Sequence, residues 1–119
     1  VLLVEDDHDH QDIAVLVLEH AGMRMLLAAD GETGVRLCLA ERPDLVLMDA
    51  HLPVMDGWAA AAAIKKAAPE IPVLMISASV LPEHRAMAKE AGCDGFYTKP
   101  IVPAVLREIV RTWLAPREE

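Results

Sequence analysis

Five short apolar runs divide this chain, and each passes into polar, turn-forming residues before a longer stretch with helical spacing. Val1 to Val4 run into Glu5-Asp6-Asp7, and Leu45 to Met48 run into Asp49. Such runs, closed by turn signals, predict strands buried on both faces. Residues 24–29, 72–77 and 95–99 read the same way. The predicted helices cover residues 12–21, 33–42, 58–68, 82–91 and a last stretch from Pro103. Asp9 or His10 is placed to cap the first, and Gly22 to end it in a left-handed turn. Val35, Cys38 and Leu39 share one face of the second, which Pro43 stops. The third is alanine-rich and strongly helix-favouring, and Pro69 closes it. Pro82 suits the first turn of the fourth. Leu106, Ile109, Val110, Trp113 and Leu114 form one stripe on the fifth.

Near-continuous apolar strands alternating with helices specify an α/β fold, a parallel sheet covered by helices on both faces. Right-handed crossovers leave few topologies. The expected arrangement is a five-stranded sheet in the flavodoxin-like order 2-1-3-4-5, with strands 1 and 3 adjacent at the switch point. Residues 1–119 are expected to form one domain, since 119 residues are enough for one core and too few for two.

Composition narrows the function classes. A hydrophobic content of 54% excludes disorder. No apolar run approaches the roughly 18 to 20 residues of a membrane-spanning helix. The first residues lack the basic start of a signal peptide, so a cytoplasmic protein without membrane contact is expected. The net charge of −8 argues against direct nucleic-acid binding, which calls for a basic patch. Cys38 and Cys93 lie in no metal-ligand spacing and read as reduced thiols.

The predicted topology brings Glu5, Asp6 and Asp49 to one edge, where ligands bind in open α/β sheets. Three close carboxylates hold on to protons or draw in a cation, and oxygen donors suit Mg²⁺. A metal there would neutralise an incoming phosphoryl group and let a carboxylate attack it. Ser77 and Lys99, ending strands 4 and 5, stand where a hydroxyl and a cation would be needed. Any one of these residues alone is unremarkable, since acids often end strands as solvated turns or caps. The four strand ends together carry the reading.

These pieces resemble a response-regulator receiver domain of two-component signalling, from the first residue to about Leu114. The matching segments are Val-Glu5-Asp6-Asp, Leu-Met-Asp49-x-x-Leu-Pro-Val-Met-Asp-Gly, Ile-Ser77-Ala78 and Phe96-Tyr-Thr-Lys99-Pro100. The resemblance implies that Asp49 accepts a phosphoryl group from a phosphohistidine of a histidine kinase or histidine phosphotransfer protein. It implies Mg²⁺ bound by Asp6, Asp49 and the backbone carbonyl of His51, with Glu5 acting through water. Ser77 and Lys99 would contact the phosphoryl oxygens, Ser77 and Phe96 would form the switch, and the Lys99–Pro100 peptide would be cis. Such a protein assists its own phosphorylation and dephosphorylation but turns over no external substrate. Helix 4, strand 5 and helix 5 would form the signalling face, here carrying His84, Met87, Lys89, Tyr97, Arg107 and Arg111, for a downstream protein or a homodimer. Three positions depart from the commonest pattern: Glu5 for Asp, Ser77 for Thr and Phe96 for Tyr. The chain holds no helix-turn-helix or catalytic output segment, which leans towards a stand-alone or hybrid-kinase receiver.

Two rival classes remain. A small Mg²⁺-dependent aspartyl phosphohydrolase would carry a second acid two residues after the nucleophile, where this chain has His51. A flavodoxin-like nucleotide binder would need a Gly- or Ser/Thr-rich loop after strand 1, where this chain has acids. His8, His10 and His51 near the edge invite a transition-metal site, a weaker reading because His8 and His10 share one loop. His51, two residues after Asp49, is expected to tune the lifetime of the acyl phosphate, with Ser79 opposite. Trp58 and Trp113 read as core residues. Tyr97 is either an exposed contact or the outer side of an edge strand.

Overall fold

The computed structural model describes residues 1–79 and 81–114; the last part of the expected 1–119 domain, residues 115–119, lies outside them. The strands are β1 (Leu2–Val4), β2 (Leu26–Ala28), β3 (Val46–Asp49), β4 (Val73–Ser77) and β5 (Gly95–Thr98). The helices are α1 (His8–His20), α2 (Gly31–Glu41), α3 (Gly57–Ala67), α4 (Pro82–Glu90) and α5 (Pro103–Leu114). All strand pairs are parallel, and the sheet runs β2-β1-β3-β4-β5 as expected.

The strands are apolar throughout because both faces are covered. Leu2, Val4, Val46, Met48, Val73 and Met75 pack under α2, α3 and α4, among them Cys38, Ala61 and Ile64. The alternate residues Leu3, Leu45, Leu47, Leu74 and Ile76 pack under α1 and α5, against Ala14, Leu18, Leu106 and Val110. This is the period of two of a pleated strand read out as two separate cores. The predicted stripe of α5 faces the second core, with Ile109, Trp113 and Leu114 at its margin. The alanines of α3 let that helix lie close to the sheet, with Ala60 and Ala61 fully buried.

Element ends differ from the sequence reading by one to four residues. The largest difference is at α1, which starts at His8 rather than Asp12. Its cap is Asp7, whose Oδ1 accepts from the N–H groups of Asp9 (2.9 Å) and His10 (3.1 Å). An Asp cap satisfies the second and third free donors of a helix, so the acid run supplies its own helix start. Asp30 caps α2 by accepting from Thr33 N–H at 2.7 Å, and Asp56 caps α3 by accepting from Ala59 N–H at 2.8 Å. Helix α2 ends with Arg42 in the left-handed region at φ 49°, one residue before Pro43.

Candidate functional site

Each strand that contributes to the site ends at the same level, so its last residue turns into a shared cleft. Glu5 follows β1, and its N–H donates to Ala28 O of β2 at 2.9 Å. Asp49 is the last residue of β3, in register with Ile76 of β4. Ser77 ends β4 in register with Thr98 of β5, and the Lys99 N–H donates to Ser77 O at 2.8 Å. Parallel pairing therefore aligns residues that sequence separates by as many as 94 positions.

Carboxylate oxygens of Glu5, Asp6 and Asp49 all lie within 4.8 Å of one another. Glu5 and Asp49 are buried, and Asp6 is exposed at the rim. Lys99 reaches into the cluster and donates from Nζ to Asp49 Oδ2 (2.9 Å) and Glu5 Oε2 (3.1 Å). Asp49 Oδ1 accepts from the backbone N–H of His51 at 3.0 Å. The Lys99–Pro100 peptide is cis.

Charge in this cleft is strongly redistributed. Burial, followed by a shared hydrogen bond with Asp49, pushes the Glu5 carboxyl up from 4.5 to about 7. Burial also works against the Asp49 charge, but hydrogen bonds from Glu5, Lys99 and the His51 N–H outweigh it and hold Asp49 below its ordinary value. Burial disfavours the Lys99 charge, yet Asp49 and Glu5 raise its pKa overall. Of the two carboxyls, Asp49 is thus held the more acidic and Glu5 the less acidic.

Loop packing fixes how the chain leaves β3. Gly57 starts α3 so close beneath β3 that a Cβ there would lie 2.0 Å from Asp49 O. Its N–H donates to Ala50 O at 2.9 Å, which pins the returning loop. Only a glycine permits that approach.

The remaining expected residues fall around this centre. The Ser77 side chain is buried, and its Oγ accepts from the Ser79 N–H at 3.1 Å. Phe96 lies half-buried, with the Arg85 guanidinium 5.2 Å from its ring centroid. The His51 ring turns to Trp58, edge-on at 5.4 Å between centroids, and stands 6.1 Å from His84. Trp58 Nε1 donates to His84 O at 3.3 Å and ties α3 to α4. Tyr97 is half-buried and its hydroxyl accepts from Trp113 Nε1 at 3.0 Å, so it braces β5 against α5. The three histidines do not form a ligand cluster; among the described residues, the group able to hold an ion is the carboxylate set.

Gln11 escaped sequence reasoning, and His10, read there as a cap or transition-metal candidate, meets Glu5 instead. His10 Nδ1 lies 2.9 Å from Glu5 Oε1, and Gln11 Nε2 donates to the Glu5 backbone carbonyl. Both were legible only with the helix start at Asp7, because the first turn of α1 then folds back over the end of β1.

The family pattern described as "Response regulator receiver domain" matches residues 1–111. The chain belongs to this receiver-domain family. Accepting a phosphoryl group as a signalling switch is the general function of such domains, and their partners are sensor histidine kinases. The transcriptional regulatory protein PrrA of Mycobacterium bovis is 32% identical over 117 residues, covering 98% of this chain and 50% of that protein. CseB of Streptomyces coelicolor, also a transcriptional regulatory protein, is 36% identical over 114 residues, or 96% of this chain and 48% of that one. This receiver thus spans about half the length of these curated relatives.

Among solved structures, a receiver domain from Methanospirillum hungatei superposes with a TM-score of 0.89 at 28% identity, covering 93% of this chain and 89% of that one. The receiver domain of a sensor histidine kinase from Pseudomonas aeruginosa gives 0.86 at 34% identity, covering 94% of this receiver and 93% of its counterpart. That structure holds a magnesium ion in its active-site cleft. No described helix of the present receiver is long and apolar enough to cross a membrane.

Proposed function

We propose that this receiver is a phospho-accepting switch in which Asp49 takes a phosphoryl group from the phosphohistidine of a sensor kinase or phosphotransfer protein. The observation that carries the reading is the Lys99–Asp49 contact of 2.9 Å inside a cleft whose other carboxylates are Glu5 and Asp6. An ionised carboxylate, a half-buried ammonium and a cation site in one cleft are what phosphoryl transfer to an acid needs.

The three carboxylates fit a hard divalent cation, whose preferred donors are oxygens. Asp6, Asp49 and the His51 backbone carbonyl would hold Mg²⁺, with Glu5 acting through water. When bound, the ion supplies charge neutralisation for the phosphoryl oxygens. The chain's own residues do the rest. An Asp49 oxygen attacks phosphorus, the phosphorus–nitrogen bond to the donor imidazole breaks, and that nitrogen recovers its electron pair. An aspartyl phosphate and a free imidazole result. Lys99 follows the negative charge from the carboxylate to the new phosphoryl oxygens. The Ser77 hydroxyl turns from Ser79 N–H towards the phosphate, and Phe96 follows beneath α4 by packing, having no hydroxyl of its own. His51 and Ser79, on the loops either side, would govern access of water and so the lifetime of the phosphate.

Incubation with Mg²⁺ and a small acyl-phosphate donor, followed by intact mass measurement, tests this. A single phosphate adduct is expected on the parent, absent with EDTA and absent in Asp49→Asn. Lack of an adduct on the folded parent overturns the reading.

A further inference from the structure

Glutamate at position 5 has one more torsion than aspartate, so its carboxylate must be held in place to serve a site. The backbone at this residue is already fixed, with its N–H on Ala28 O and its carbonyl accepting from the buried Gln11. The carboxylate is gripped from two sides. His10 Nδ1 approaches Oε1 at 2.9 Å from the first turn of α1. Lys99 Nζ lies nearer the other oxygen, 3.1 Å from Oε2 against 3.4 Å from Oε1. The two grips differ in permanence. Lys99 also serves Asp49 and moves with the charge once a phosphoryl group arrives. His10 is hydrogen-bonded to Glu5 and to neither Asp49 nor Lys99, so nothing ties it to that movement.

We propose that His10 is a positioning residue for Glu5: its Nδ1–H holds Oε1 so that Oε2 stays turned into the metal site through phosphorylation. The inference rests on Glu5 serving Mg²⁺, as proposed above. It also gives the longer glutamate arm a role, since that arm carries Oε1 to 2.9 Å from the imidazole. Outer-shell groups that orient a metal site typically change metal affinity by about 10- to 100-fold, and Glu5 itself acts through water. His10 is 56% exposed, which places it at the low end of that range.

Calorimetric titration with Mg²⁺ at fixed pH, using the full chain, tests it. His10→Ala should weaken Mg²⁺ binding about 10-fold with an unchanged melting temperature in EDTA. His10→Asn, whose amide nitrogen takes the place of Nδ1, should restore most of the loss. In a Glu5→Asp background, His10→Ala should leave Mg²⁺ affinity unchanged. Equal or tighter binding by His10→Ala overturns the proposal, as does failure of Asn to rescue or an equal loss in the Glu5→Asp background. Failure of the parent itself to bind Mg²⁺ would instead remove the metal reading on which the proposal rests.

Discussion

Glu5 and Asp49 are both carboxylates in one cleft, yet they are driven in opposite directions. Asp49 has Lys99 and a backbone N–H, while Glu5 faces burial and the neighbouring negative charge. The consequence for stability has a definite sign. In the metal-free protein the Glu5 value lies at about 7 against an ordinary 4.5, so the fold favours its protonated form. That contribution is complete below the ordinary value and is lost as pH rises through about 7. Asp49, shifted downward, acts the other way and only at lower pH, so it does not disturb this window. Glu5→Gln, which keeps the shape of the protonated acid, should therefore gain stability over the parent progressively from pH 5 to pH 8 in EDTA. Thermal melts should show a gap of several degrees by the upper end. A gap constant across that range would mean that Glu5 is not the titrating group.

At the scale of elements, the cleft depends on helices and loops being held at the opposite end of the sheet as well. Lys65, near the end of α3, donates from Nζ to Pro69 O (2.8 Å), Ile71 O (2.9 Å) and Asp94 Oδ2 (2.9 Å). Asp94 in turn accepts from the Val73 N–H at 2.8 Å. One ammonium thus joins α3, the loop into β4 and the loop into β5, and its side chain is only 14% exposed. Lys65→Met keeps the stem and removes the donors, so it should cost about 2 kcal/mol, the scale of a charged hydrogen-bond network with a partner left behind. Chemical denaturation measures this; a change below about 0.5 kcal/mol, the scale of an ordinary surface substitution, would show the network to be solvated and weak. Phosphorylation of this variant should persist, because Lys65 lies away from the cleft.

Across the whole molecule, the switch reading requires the effect of Asp49 to leave the cleft along one side only. Ser77 leads through Ser79 to the start of α4, where Ser79 Oγ accepts from the Leu81 N–H at 3.1 Å. Trp58 and Arg85 then connect α4 to α3 and to Phe96 of β5. Helix α2 lies towards the far edge, against β1, β2 and α3. Amide hydrogen exchange in the presence of Mg²⁺ and excess acyl-phosphate donor should therefore change in residues 77–79, 81–90 and 95–98, and not in α2. Equal change in α2, or change confined to it, would defeat this route. Tyr97, Val105 and Ile109 line an apolar groove of about 390 Å³ between β5 and α5 on the same side.

Much of this architecture was legible from pattern alone. The five β-α units follow from apolar runs and punctuation, which are properties of local sequence; crossover handedness left few sheet orders, and the flavodoxin-like one, expected among them, brings the strand ends carrying Glu5, Asp49, Ser77 and Lys99 to one edge. Element boundaries were less legible. The start of α1 hinged on which of several adjacent acids offered its oxygen to the helix donors, and Asp7, Asp9 and Asp12 look alike until the backbone directions exist. Only the tertiary structure decided how the site is wired. Asp49 and Glu5 are shifted in opposite directions because burial and the hydrogen bonds each receives are properties of packing. The His51 ring stands against Trp58 and His84 because of how α4 lies beside α3. His10 joins Glu5 because the first turn of α1 bends back over β1. Residue types were written in the chain; which of them share a proton, a hydrogen bond or a ring contact depends on distances of a few ångströms that only folding brings about.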